Sequence, residues 1–127
     1  MTLSPNSIKR LEGVHPDLQS VVYRAAEISD LDFIVTEGLR SIKKQKELMA
    51  KGATTTLKSR HLTGHAVDLA VKIGDEVRWD WPLYTKLSLI VKEAAKIEGV
   101  KIEWGGDWLK FKDGPHYQLT WKDYVAD

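Results

Sequence analysis

Two imidazoles and one carboxylate lie close together in Ser59-Arg60-His61-Leu62-Thr63-Gly64-His65-Ala66-Val67-Asp68. The chain has no cysteine, so any zinc must be held by His with Asp or Glu. From Ala66 the run Ala-Val-Asp-Leu-Ala-Val has the pattern of a strand, on which successive side chains face opposite ways. Val67, Leu69 and Val71 then point toward a core, while Asp68 stands on the other face between Ala66 and Ala70. His61 enters from the polar loop ahead of the strand. Such a pair suits a metal facing an open groove. A helix would also gather His61, His65 and Asp68 on one face, but Gly64 and the β-branched valines oppose it.

A third ligand is offered much later, by His116 in Asp113-Gly114-Pro115-His116-Tyr117-Gln118-Leu119. Zinc on three protein ligands keeps a position for water and lowers its pKa, and a nearby carboxylate must then accept the proton. Asp113, across a Gly-Pro turn from His116, is within reach of that task; Asp-Gly-Pro is equally strong turn chemistry. His65 competes with His61 as ligand, and spacing alone does not separate them. A lone histidine is more often a surface or structural residue, which applies to His15 and also to His116. Arg40 follows one element and precedes another, where a guanidinium can bind a substrate carboxylate or polarise a carbonyl, or simply be a solvated charge. Trp81, Trp104 and Trp108 can wall a groove with aromatic faces or pack in the core, the latter suiting Trp81 best. Lys43-Lys44-Gln45-Lys46 reads as a solvated helix face.

The elements that must position these groups follow from periodicity. A short helix is expected over Ser4–Glu12. A second begins at Pro16, a favourable first-turn residue, with Leu18, Val21, Val22, Ala25 and Ile28 as its buried stripe. Phe33–Thr36 reads as a strand, and Ser41 can cap a helix over Ile42–Ala50. Ala53–Gly64 is a threonine-rich polar loop. Ala66–Ile73 is the ligand-bearing strand, and Gly74-Asp75 turns it into a hairpin returning over Glu76–Trp79. The longest helix spans Pro82–Glu98, with Leu83, Leu87, Ile90, Val91, Ala94 and Ile97 inward. Lys101–Trp104 is a short strand. His116–Trp121 is the last, with His116, Gln118 and Thr120 on one face. The order predicts an α+β fold: a single small domain over 1–127, with a central, mostly antiparallel sheet and flanking helices.

The 127 residues suffice for one domain with a real core, and the apolar fraction of 43% is ordinary for a globular chain. A net charge of +1 gives no electrostatic footprint for nucleic acid. Without cysteine there is no disulfide framework, thiolate metal site or cysteine nucleophile. No run is long enough to span a membrane, and Met1-Thr2-Leu3-Ser4 does not open a signal peptide. A chain held in the cytoplasm is therefore expected, released by something else if it acts elsewhere.

With these residues in view, the chain resembles the zinc D-Ala-D-Ala peptidase group, and within it the phage endolysins that cleave L-alanyl-D-glutamate bonds. The resemblance rests on Ser59-x-His61-x-x-Gly64-x-Ala66-x-Asp68, Asp113-x-x-His116, Thr36-x-Gly38-x-Arg40-Ser41 and the opening Leu11-Glu12-Gly13-Val14-His15-Pro16-Asp17-Leu18. It implies a small α+β fold with a central antiparallel sheet. It implies zinc on His61, Asp68 and His116, so that His61 and not His65 is the ligand. Asp113 would be the catalytic acid/base, which is Glu in many relatives, and Arg40 would stabilise the polarised carbonyl. Ser59, His65 and Trp104 would contact substrate or support the site. The implied partner is the peptidoglycan stem peptide, attacked by a monomer made in the host cytoplasm that reaches the wall with a holin-type helper. Two other functions fit the group: a D-Ala-D-Ala carboxypeptidase or dipeptidase of wall metabolism, and a non-catalytic zinc module of the hedgehog type, which the presence of Asp113 disfavours.

Overall fold

A computed structural model describes residues 1–53 and 59–125. The threonine-rich part of the expected loop, 54–58, lies outside the described residues. Three of the four α-helices begin at a side-chain cap. The Ser4 hydroxyl accepts from Ser7 N to open α1 (Pro5–Arg10), and Ser41 accepts from Lys44 N to open α3 (Ile42–Ala50). His15 does the same for α2 (Pro16–Ile28) through Nδ1, which accepts from Asp17 N. The fourth helix, α4 (Trp81–Glu98), carries Pro82 in its first turn and ends at Gly99, whose φ of 69° closes it in the left-handed conformation.

Five strands, β1 (Phe33–Glu37), β2 (Ala66–Ile73), β3 (Glu76–Arg78), β4 (Ile102–Trp104) and β5 (His116–Leu119), form one antiparallel sheet in the order β1-β2-β5-β4. The hairpin partner β3 pairs with the far end of β2. Val71 faces Phe33 on one edge and Arg78 on the other, and Asp68 faces Glu37 and His116 in the same way, so β2 is the strand every partner is built upon. The α+β expectation, with its antiparallel sheet, is what the chain adopts.

One face of the sheet is the core. Phe33, Val35, Val67, Leu69, Val71, Tyr117 and Leu119 are buried there against Leu18, Val21, Val22 and Ala25 of α2 and Leu87, Val91 and Ala94 of α4. The helical stripes are narrower than periodicity predicts. Ile28 and Ile97 sit in last turns and are exposed, while Tyr84, Ser88 and Ala95 are buried instead. Element ends also differ from expectation. Ser4 is a cap and the first helix stops at Arg10; the hairpin return stops at Arg78; the last strand stops at Leu119, before Thr120 and Trp121. The last strand ends there because the chain turns under Arg60. That buried guanidinium donates from Nη2 to the carbonyls of Leu119 (2.9 Å), Thr120 (3.3 Å) and Tyr124 (2.8 Å).

The expected polar loop before β2 holds a 3₁₀ turn, Arg60–Thr63, capped by Ser59 and closed by Gly64 at φ 75°. A Cβ on Gly64 would lie 2.4 Å from the Gly13 carbonyl oxygen, a backbone atom with no room to retreat. Gly64→Ala therefore combines a left-handed backbone with an overpacked contact, and is expected to cost about 1–3 kcal/mol. Urea denaturation checks this; a variant as stable as the parent would show that this junction tolerates both.

Candidate metal centre and groove

The opposite face of the sheet is polar. Asp68 on β2 stands directly across from His116 on β5. The neighbouring bonds, Leu69 N to Pro115 O (2.9 Å) and Leu119 N to His65 O (2.9 Å), make this a position without its own backbone pair. Facing side chains come closest at such positions, with Cα atoms ~4.5 Å apart. His116 Nδ1 lies 3.2 Å from Asp68 Oδ1, and His61 Nε2 lies 3.2 Å from the same oxygen. The two rings meet edge to face at 5.0 Å, and the three ligating atoms all lie within 4.8 Å of one another.

The remaining ring nitrogens are already engaged. His61 Nδ1 is 2.9 Å from the Gly38 carbonyl, which can only accept, so a proton sits on Nδ1 and Nε2 is the nitrogen turned to the site. His61 is buried, and the Gly38–Arg40 segment brackets it, since Arg40 N donates to His61 O at 2.9 Å. Burial alone would push the Asp68 carboxyl up, but the His116 and His61 hydrogen bonds and charges hold it well below the usual carboxylate range. Burial likewise opposes a charged His116, yet the bond to Asp68 and its charge outweigh this and raise the imidazole above its ordinary value. Two imidazole nitrogens and one carboxylate oxygen, converging in a groove, form a donor set that can hold a metal ion.

The groove of about 440 Å³ is lined by Glu37, Arg40, Ser59, Asp113, Trp108 and Trp121 besides the three candidate ligands. Asp113 is half-buried, and among the described residues its carboxylate forms no side-chain hydrogen bond. Burial and the neighbouring Asp68 charge raise its pKa, against the His116, His61 and Arg40 charges. Its backbone is pinned from both sides, N donating to Gly105 O (3.0 Å) and O accepting from His116 N (3.2 Å). Its turn role and its place in the groove thus coexist. Arg40 is held by Glu37 and by Gln45, whose Oε1 accepts from Nη1 at 2.8 Å. Ser59 lies in the groove, its hydroxyl accepting from His61 N at 3.2 Å.

Two expected substrate contacts are elsewhere. His65 shares the parity of Val67 and so leaves the groove face; it bonds Thr63 Oγ1 through Nδ1 (2.7 Å) and stacks 5.5 Å from His15. Trp104 faces Tyr117 across β4 and β5, on the core side, and is buried with its indole donating to Gly114 O at 2.7 Å. Trp108, beyond the next 3₁₀ turn, reaches the groove instead, 5.2 Å from the His116 ring. Sequence reasoning also missed Glu37. A bulge between Val35 and Glu37 carries that carboxylate past the expected strand end to face Asp68.

This arrangement is built on a fold shared with a D,D-dipeptidase. The vancomycin-resistance D,D-dipeptidase VanXYg, solved with a D-Ala-D-Ala phosphinate analogue, matches with a TM-score of 0.60 at 18% identity, over 84% of this chain and 50% of that one. A nearer match is the Serratia marcescens L-Ala D-Glu endopeptidase ChiX, with a TM-score of 0.93 and 45% identity over 99% of this chain and 95% of that one. The L-alanyl-D-glutamate peptidase of Escherichia phage T5 is 35% identical over 107 residues, 81% of this chain and 78% of its own. The sequence model of the phage L-alanyl-D-glutamate peptidases matches residues 1–120, and the chain belongs to that family.

The geometry separates the two histidines of the motif. His61→Ala is expected to lose bound metal, and His65→Ala to keep it, in metal analysis of the purified proteins. The opposite pattern would transfer the ligand role to His65.

Proposed function

We propose that this chain is a zinc-dependent L-alanyl-D-glutamate endopeptidase, an endolysin that opens the peptidoglycan stem peptide at the end of a phage cycle. The observation that carries it is the convergence of His61, Asp68 and His116 in a groove that also holds Asp113 and Arg40. The chemistry of the donors supports zinc. Nitrogen from two imidazoles and oxygen from one carboxylate suit it, and three protein ligands leave a position open. A zinc ion bound there supplies Lewis acidity, making water acidic enough to yield hydroxide near neutral pH and polarising a carbonyl.

The chain's own residues do the rest. Asp113, with no competing side-chain partner among the described residues, takes the proton of the attacking water. The water oxygen adds to the alanyl carbonyl carbon. As the carbon–nitrogen bond breaks, Asp113 returns the proton to the departing glutamate amine. Arg40, held in the groove by Glu37 and Gln45, shares the charge that develops on the carbonyl oxygen. Its tethers fix the guanidinium before substrate arrives, which spares reorganisation during the reaction. Ser59 supports His61 from the groove wall.

No helix among the described residues is long and apolar enough to cross a membrane. The reading includes a monomer of one peptidase domain over 1–127, made in the host cytoplasm, with a holin-type helper admitting it to the wall. The competing D,D-peptidase reading draws only on the shared fold.

Mass spectrometry of fragments from purified peptidoglycan decides between these reactions. New N-terminal D-glutamate is expected, and released D-alanine would contradict the assignment. Asp113→Asn is expected to fold and bind zinc while losing ~10²–10⁴-fold in rate, with Asp113→Glu keeping part of the activity. If Asp113 serves only its turn, Asn will be near the parent and Glu worse, as judged by fragment release with zinc content measured alongside.

A further inference from the structure

We propose that Gln118 and Glu103 form a relay that sets which nitrogen of His116 faces the metal, and that Trp108 ties this relay to the groove wall. The proposal rests on the metal reading above and concerns residues not counted among the ligands or catalytic groups.

The relay is read from its outer end inward. Glu103 on β4 faces Gln118 on β5, and Gln118 lies two residues from His116 on the same face of the sheet. Glu103 Oε2 accepts from the Trp108 indole at 3.3 Å, and Glu103 Oε1 accepts from the Gln118 amide nitrogen at 3.3 Å. A carboxylate can only accept here, so it sorts the two ends of the Gln118 amide. The nitrogen turns to Glu103 and the oxygen turns to His116. Gln118 Oε1 then lies 2.7 Å from His116 Nε2. An amide oxygen facing that nitrogen requires a proton on it, which leaves Nδ1, 3.2 Å from Asp68, as the nitrogen that gives up its proton when a metal binds.

His116 therefore receives from Gln118 what His61 receives from the Gly38 carbonyl: an acceptor for the nitrogen that does not ligate. The two devices differ in how they are fixed. Gly38 is backbone. Gln118 is a side chain whose amide could turn over, and Glu103 prevents this. Gln118 and His116 are both buried, so water does not readily replace the missing partner. Partners of this kind typically change metal affinity or activity by ~10–100-fold when removed.

Gln118→Met keeps the length and volume of the side chain and removes the acceptor. Zinc affinity, measured by competition with a chromophoric chelator, is expected to fall ~10–100-fold. In nitrogen-15 spectra of the zinc-loaded protein, the His116 Nε2–H signal is expected to be protected from exchange in the parent and lost in Gln118→Met. Glu103→Gln no longer sorts the amide and should weaken zinc in the same direction by less. It carries the test if Gln118→Met fails to fold by circular dichroism. Parent-like zinc affinity and a parent-like His116 signal in the folded variant would reduce Gln118 to a space-filling role and overturn the relay. A parent protein that takes up no zinc at all would instead overturn the reading of the site itself.

Discussion

One register governs this molecule: Asp68 opposite His116 where β2 meets β5. Side chains alternate strictly along each strand, so sliding β5 by one residue would send His116 to the core and Tyr117 into the groove. Burial resists such a slip, because Val67, Leu69, Tyr117 and Leu119 are wholly enclosed on the core face and have no other place to go. The hydrophobic core thus sets the ligand geometry without touching it. Its helices, α2 and α4, pack on the face away from the groove and hold the sheet in the one pairing that brings Asp68 and His116 together.

The third candidate ligand is positioned by different means. His61 is on no strand; it is held by the capped 3₁₀ turn, by the Gly38 carbonyl on its ring and by Arg40 N on its own carbonyl. These bonds bind the loop after β1 to the turn before β2. The same loop carries Arg40, and the bulge just before it turns Glu37 toward the guanidinium. The bulge, the αL glycine and the buried Arg60 under the chain end are local departures from regular structure. Each serves to aim or anchor a side chain at the groove, as bulges beside functional sites commonly do.

What the sequence made legible follows from period-two alternation. It placed Asp68 between two alanines on one face, and His116 with Gln118 on another, before any pairing was known. It did not separate His61 from His65, because the end of the turn and the start of β2 are not marked by spacing; Gly64 at φ 75° is where they divide. It offered Trp104 and Trp108 alike as groove wall, because neither the partner nor the register of β4 was readable. Opposite Tyr117, Trp104 falls on the core face, and Trp108 takes the groove. Glu37 and Glu103 were invisible for a related reason: each matters only through its neighbour across strands, and strand order is a tertiary fact. The resemblance to the L-alanyl-D-glutamate peptidases supplied the choice of His61 as candidate ligand, and His61, Asp68 and His116 are the residues the structure brings together.

The most direct test of the account is zinc-edge anomalous diffraction from crystals of the zinc-loaded protein. A single strong peak is expected in the groove, ~2.0–2.2 Å from His61 Nε2, an Asp68 carboxylate oxygen and His116 Nδ1. A peak beside His15 and His65, or coordination of His116 through Nε2, would contradict it.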